Sequence, residues 1–264
     1  MKRFSIFILI GAIASALFLG ENSVFAESNL NSDFRSISAD KYKPIGDPDM
    51  GYPQIAIRTN RTPKRTDLES VIRRANQVAD QYPIDDKKNR AKAVTEELTE
   101  IFGGGGFGHT WIIFFKSAKP GNYTSYGYHA GYGFVKDGLG GGRNDSPERK
   151  FHVERIIPIK NTNAFPDQLE KTIIPELNKK SAMIAELMDI PVSNLDVGAY
   201  TPITNCSWFA GNLWNYATGD NLVFEQDFNG ADYADRWGMP FLKSIKKIAD
   251  PGMVAESIAL KKEN

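Results

Sequence analysis

The spacing of apolar positions changes along the chain, and each change predicts an element. From residue 66, Leu68, Val71, Ile72, Ala75, Val78 and Ala79 recur at helical spacing behind the capping-box pattern Thr66-Asp67-Leu68-Glu69. Tyr82-Pro83 interrupts this helix, and a second from about Asp86 carries Val94, Leu98, Ile101 and Phe102 to a stop at Gly103. His109 to Phe115 is then β-branched and aromatic on both faces, as in a buried central strand. Lys119-Pro120-Gly121-Asn122 is turn chemistry, and Tyr123 to Tyr132 predicts a strand returning antiparallel. A fold about Pro120-Gly121 sets His109 opposite Gly131, with His129 its diagonal neighbour on the same face. Gly138 to Ser146 reads as an irregular loop. Phe151, Val153, Arg155, Ile157 and Ile159 alternate with polar residues in a third strand. Phe165 to Ile190 is helical with a split at Pro175, its apolar residues Leu177, Met183, Ile184 and Leu187. The expected class is α+β, an antiparallel sheet with packed helices.

The ends of the chain read differently. Lys2 and Arg3 precede an apolar run from Phe4 to Leu19, and Val24-Phe25-Ala26 places small residues where a signal peptidase reads them. Residues 1–26 are therefore expected to be a secretory signal, which places the protein in the periplasm or outside the cell. The run is shorter than the roughly 20 residues of a spanning helix, so no stable membrane insertion is expected after cleavage. Residues 27–65, polar and without a lasting period, are expected to be an extended lead-in arm, and 66–264 the functional domain with a C-terminal helical extension.

Composition narrows the chemistry. The chain has 32 basic and 32 acidic residues; removal of 1–26 takes Lys2, Arg3 and Glu21 and leaves 30 and 31. Such a balance argues against a nucleic-acid partner. One cysteine excludes a disulfide framework and every multi-cysteine metal site, and no cofactor or metal is expected. Gly103, Gly105 and Gly108 fit the dinucleotide spacing, but a helix precedes them and a strand follows, the reverse of what a pyrophosphate site requires. Asp220, Asp227, Asp232 and Asp235 lack the closing Glu of a calcium loop and read as a solvated acidic stretch.

The remaining candidate is the thiol. In Asn205-Cys206-Ser207-Trp208-Phe209, Asn205 is placed to cap a helix that ends at Gly219, with Cys206 at its first position. The amides there are expected to lower the thiol pKa and supply a thiolate. Phe209, Leu213 and Tyr216 form the anchoring stripe. The base must precede Cys206, because all three histidines do: His109, His129 and His152. His109 is the expected base and His129 its orienting partner; His152 alternates away from the core. Trp111, Tyr128, Trp208 and Asn205 are expected to line the substrate groove.

Gly108-His109-Thr110-Trp111-Ile112 followed by Asn205-Cys206-Ser207-Trp208-Phe209 resembles the circularly permuted papain-like cysteine hydrolases, the NlpC-type superfamily, and in particular its lecithin retinol acyltransferase-like branch. The likeness covers about residues 103–219. It implies a permuted papain-like fold with Cys206 as nucleophile, His109 as base and His129 as the third polar residue. It also implies cleavage of an amide bond through a thioester, most naturally in peptidoglycan peptides or a protein substrate. The alternatives it leaves are lipid acyl transfer or thioester hydrolysis on the same fold, and a non-catalytic binding module.

Overall fold

A computed structural model describes residues 41–103, 106–139 and 144–261. The expected signal segment and the first part of the arm lie outside the described residues. The protein is α+β. Five antiparallel strands form one sheet: β1 (Gln54–Thr59), β2 (Thr110–Phe115), β3 (Tyr123–His129), β4 (Gly133–Lys136) and β5 (Val153–Pro158), in the order β4-β3-β2-β1-β5. Among the described residues seven α-helices accompany it: α1 (Leu68–Ala79), α2 (Lys87–Gly103), α3 (Pro166–Leu169), α4 (Ile173–Leu187), α5 (Cys206–Thr218), α6 (Ala231–Ala234) and α7 (Pro251–Leu260). A two-stranded ribbon pairs β6 (Glu225–Asp227) with β7 (Lys247–Ala249). No described helix is long and apolar enough to cross a membrane.

Alternation along the strands makes two cores. Ile55, Ile57, Ile112, Tyr126 and Tyr128 point to the face covered by α4, α5 and α7, where they meet Leu177, Phe209, Leu213, Trp214 and Val254. Ala56, Trp111, Ile113, Phe115 and Ile156 form the smaller core on the opposite face. Helix α5 lies on β2 and β3, and α7 lies against β1 and β5.

Residues 54–59 were expected in an extended arm, and instead they form the strand between β2 and β5, with all six residues buried. The Ile-Ala-Ile alternation is too short to announce itself, and Gln54, Arg58 and Thr59 disguise it as a polar stretch. Arg58 is buried because every face of its guanidinium is occupied. It donates to Glu154 at 2.7 Å, to the Pro147 carbonyl at 2.9 Å and to the Lys43 carbonyl at 2.7 Å, and it lies 4.4 Å over the Phe151 ring. Glu154→Ala would leave this cation buried without its counter-charge, and the expected loss is about 3–5 kcal/mol in chemical denaturation. A loss below about 1 kcal/mol would contradict this account of how β1 is held.

Four local expectations shift. Asp67, not Thr66, caps α1 by accepting from the Ser70 amide, while the Thr66 hydroxyl and amide bond the buried Asp250. The break in the 165–190 helix falls before Ile173. Pro175 sits within the first turn of α4, where its missing N–H costs nothing. Met183 and Leu187 are exposed, because α4 buries Ile174, Leu177, Ser181, Ala182 and Ala185 instead. Beyond β3 the chain also turns back at residues 130–132 to form β4, a hairpin that the Tyr-rich run concealed.

Candidate active site

Helix α5 begins where its sequence requires. The Asn205 side chain accepts from the Ser207 and Trp208 amides at 3.0 and 3.1 Å, which satisfies two of the orphan donors of the first turn. Its Nδ2 donates to the Ala249 carbonyl at 2.8 Å, tying the cap to β7. Gly219 closes the other end in the left-handed region. Cys206 stands at the first helical position and is 2% exposed.

The hairpin brings the histidines together, in a register two residues shorter than expected. Ile112 pairs with Tyr126, so His109 and His129 fall opposite one another at the open end of β2 and β3. An even shift keeps the face, so the two imidazoles still lie on one side. They stack with ring centroids 4.7 Å apart and planes inclined at 28°, and His109 also stacks on Trp111 at 5.6 Å.

Both imidazoles hold one carboxylate that the sequence had concealed in the glycine loop. Asp145 bonds His109 Nε2 through Oδ1 at 2.9 Å and His129 Nε2 through Oδ2 at 2.7 Å. Arg149 donates to Oδ1 at 2.7 Å, and its guanidinium lies 4.9 Å over the Trp111 ring. The order in space is therefore His109–Asp145–His129. His129 presents its ring face to His109, so the group that orients His109 is the carboxylate.

Cys206 packs from the Ile112 face of the sheet, whereas His109 stacks on the Trp111 face. Both nevertheless line one cavity. The backbone of Thr110, which follows His109 directly, favours the thiolate of Cys206, and the Thr110 hydroxyl pairs with Ser207 Oγ at 3.0 Å. Cys206, His109, His129, Tyr128, Tyr200 and Arg149 line a single cavity of about 160 Å³. The Tyr200 hydroxyl donates to the Phe102 carbonyl at 2.9 Å; burial, together with contact with the Cys206 sulfur, raises its pKa well above the usual tyrosine value.

Electrostatics overturn the expectation of a resting thiolate. Burial pushes the Cys206 thiol up to about 11, and the neighbouring Asp145 charge adds to the shift. Asn205 already takes two of the helix-terminal amides, so the hydrogen bonds left to the sulfur do not offset desolvation. Burial likewise brings His109 down to about 4, against the pull of Asp145. Burial alone would raise Asp145, but the imidazoles around it outweigh burial and hold its carboxyl far below the usual range. An ionised Asp145 only accepts, so each histidine carries its proton on Nε2, and His109 Nδ1 is left as a lone pair.

Because the thiolate is the species that alkylates, iodoacetamide should react with Cys206 roughly 100-fold more slowly near neutral pH than with an ordinary thiol. The rate should climb as pH rises toward about 11. A neutral-pH rate equal to that of a free thiol would contradict the burial argument.

The other expected lining residues are placed as follows. Trp111 and Asn205 are sealed at 0% exposure and offer no surface to a ligand. Tyr128 forms a cavity wall, stacked on Phe209 at 4.9 Å with its hydroxyl on Ser181. Trp208 is half-buried against the larger core. His152 lies outside the cluster; its amide bonds the Thr59 carbonyl at 2.9 Å. Tyr216 leaves the expected stripe and is exposed. Of the glycines, Gly105 lies outside the described residues. Gly103 ends α2, and Gly108 turns at φ +95° into the histidine strand, where a Cβ would press on Arg61 and Asn60. Asp220 is paired rather than solvated, with Arg155 at 2.7 Å, Lys261 at 2.5 Å and the Trp214 indole N–H at 3.1 Å.

Asp145, Arg149 and Tyr200 were not legible as site residues. Gly127 held the one usable signal, since a glycine inside a strand marks close approach. A Cβ there would lie 1.8 Å from Asp145 Oδ2 and 2.7 Å from His129 Nε2. No protein-family model matches the chain, nor does any curated protein or solved structure.

Proposed function

We propose that this is an exported cysteine hydrolase of the permuted papain-like kind, which cleaves an amide bond through a thioester on Cys206. The observation that carries the reading is the convergence of the thiol and His109 on one cavity, with the His109 tautomer set by Asp145. Cys206 Sγ attacks the carbonyl carbon while His109 Nδ1 takes the thiol proton. The imidazolium that forms is stabilised by Asp145, and the backbone amide of Cys206, at the first position of α5, is the proposed donor to the developing oxyanion. His109 then gives its proton to the departing amine, and water, deprotonated by the same nitrogen, releases the acid and restores the thiol.

A neutral resting pair suits this order of events: charge appears only when a carbonyl is present to be attacked. The cavity is small beside the roughly 300–1,000 Å³ of pockets that bury a whole small molecule. It admits a reacting carbonyl and the small groups beside it, which favours a peptide over an acyl chain. Export rests on the charged, apolar and small-residue order of residues 1–26 and points to peptidoglycan peptides as the substrate.

The test is product analysis. Sacculi treated with the protein should release muropeptides with new amino groups, and phospholipid vesicles should release no fatty acid. Fatty-acid release without new amines would replace the amidase reading with the lipid one. Inertness toward both would leave the binding module.

A further inference from the structure

We propose that His109, His129 and Asp145 also form a binding site for a divalent transition metal ion of the zinc type, and that the ion switches the hydrolase off. Two imidazole nitrogens and a carboxylate oxygen lie within 4.8 Å of one another, all on buried side chains. This donor set, two nitrogens and one oxygen, matches three-ligand zinc sites that keep a further position open. Here the open position would face the cavity that His109 and His129 both line. Arg149 holds Oδ1 at 2.7 Å, so Oδ2, which now accepts from His129, is the oxygen offered to the ion. The guanidinium orients the carboxylate, and its charge restrains affinity for a cation.

The inhibitory consequence follows from the tautomers and rests on the hydrolase reading; the binding itself does not. Each Nε2 proton now lies between a nitrogen and the carboxylate. To ligate through Nε2 each imidazole must give up its Nε2 proton; at His109 the proton moves to Nδ1 instead, a shift through solvent that changes neither charge nor proton count. His109 Nδ1 then has no lone pair for the thiol proton, and attack stops without the ion touching the sulfur.

Zinc and cobalt chlorides titrated into the full chain should show one ion bound per chain by calorimetry. His129→Ala and Asp145→Asn should each weaken binding at least tenfold, and His152→Ala and Cys206→Ala should leave it unchanged. The cobalt spectrum should show d–d bands without a thiolate charge-transfer band. In the unmutated chain, zinc should shift the ring resonances of His109 and His129 but not of His152, so the test does not depend on the variants folding. No bound ion, undisturbed His109 and His129 resonances, or binding lost in Cys206→Ala would overturn the site. Binding with full hydrolysis retained would overturn the inhibition alone. Absence of hydrolysis by the metal-free chain would count against the proposed function and leave the metal site standing.

Discussion

Cys206→Ala is expected to lower kcat/KM for amide hydrolysis by about 10⁴-fold or more while the protein remains folded. The magnitude follows from the chemistry: without the sulfur there is no thioester, and a water molecule in the same cavity has neither its nucleophilicity nor its fixed position. The structure separates this loss from unfolding. Cys206 is held mainly by its backbone and by the Asn205 cap, and the change removes a single buried atom, at a cost of about 1 kcal/mol. A paired measurement of rate and denaturation midpoint checks both halves. Residual activity within tenfold of the parent would place the chemistry elsewhere.

Asp145→Asn carries the second large effect, about 10²–10⁴-fold in kcat/KM. The carboxylate accepts from His109, His129 and Arg149 at once, whereas an amide of the same shape offers one acceptor and one donor. At least one imidazole would then have to reverse its tautomer, and the imidazolium formed on His109 during attack would lose its counter-charge. In the proposed mechanism Asp145 acts through His109 as a positioning residue, so the pH profile should move as well as the rate. Arg149 only donates, so the amide oxygen must stay where Oδ1 is and its NH2 must face His129; ring ¹⁵N chemical shifts should show His129 protonated on Nε2 in the parent and on Nδ1 in the variant. An unchanged tautomer with an unchanged rate would remove Asp145 from the mechanism. The variant should also be less stable, since Arg149 keeps its place over Trp111 without a partner charge.

What was legible in the sequence follows the range of each interaction. Asn205 at the cap, Cys206 at the first position and Gly219 at the end are local matters of backbone chemistry, and the helix forms where those residues put it. The hairpin was visible in its turn residues, and because its register differed by an even number, His109 and His129 kept a common face. The central strand β1 was hidden because its polar residues are satisfied by partners far along the chain, Glu154 and Pro147 for Arg58. Asp145 was hidden for the same reason, since a carboxylate in a glycine loop acquires its meaning only from the imidazoles that the fold brings to it. The thiol pKa was misread because a helix terminus is a local feature and burial is not. Gly127 shows that sequence can hold a trace of such long-range packing, in the form of a side chain that is missing where another residue must pass.

The central claim is that the Cys206 sulfur bonds covalently to the carbonyl carbon with His109 as the base. Acid-quenched protein, taken during turnover of a peptidoglycan peptide and analysed by intact mass and then by fragmentation, tests it most directly. The expected product is an acyl adduct confined to Cys206, hydroxylamine-labile as a thioester must be, and absent from Cys206→Ala. Turnover with the sulfur unmodified at every quench time, or an adduct on any other side chain, would contradict it.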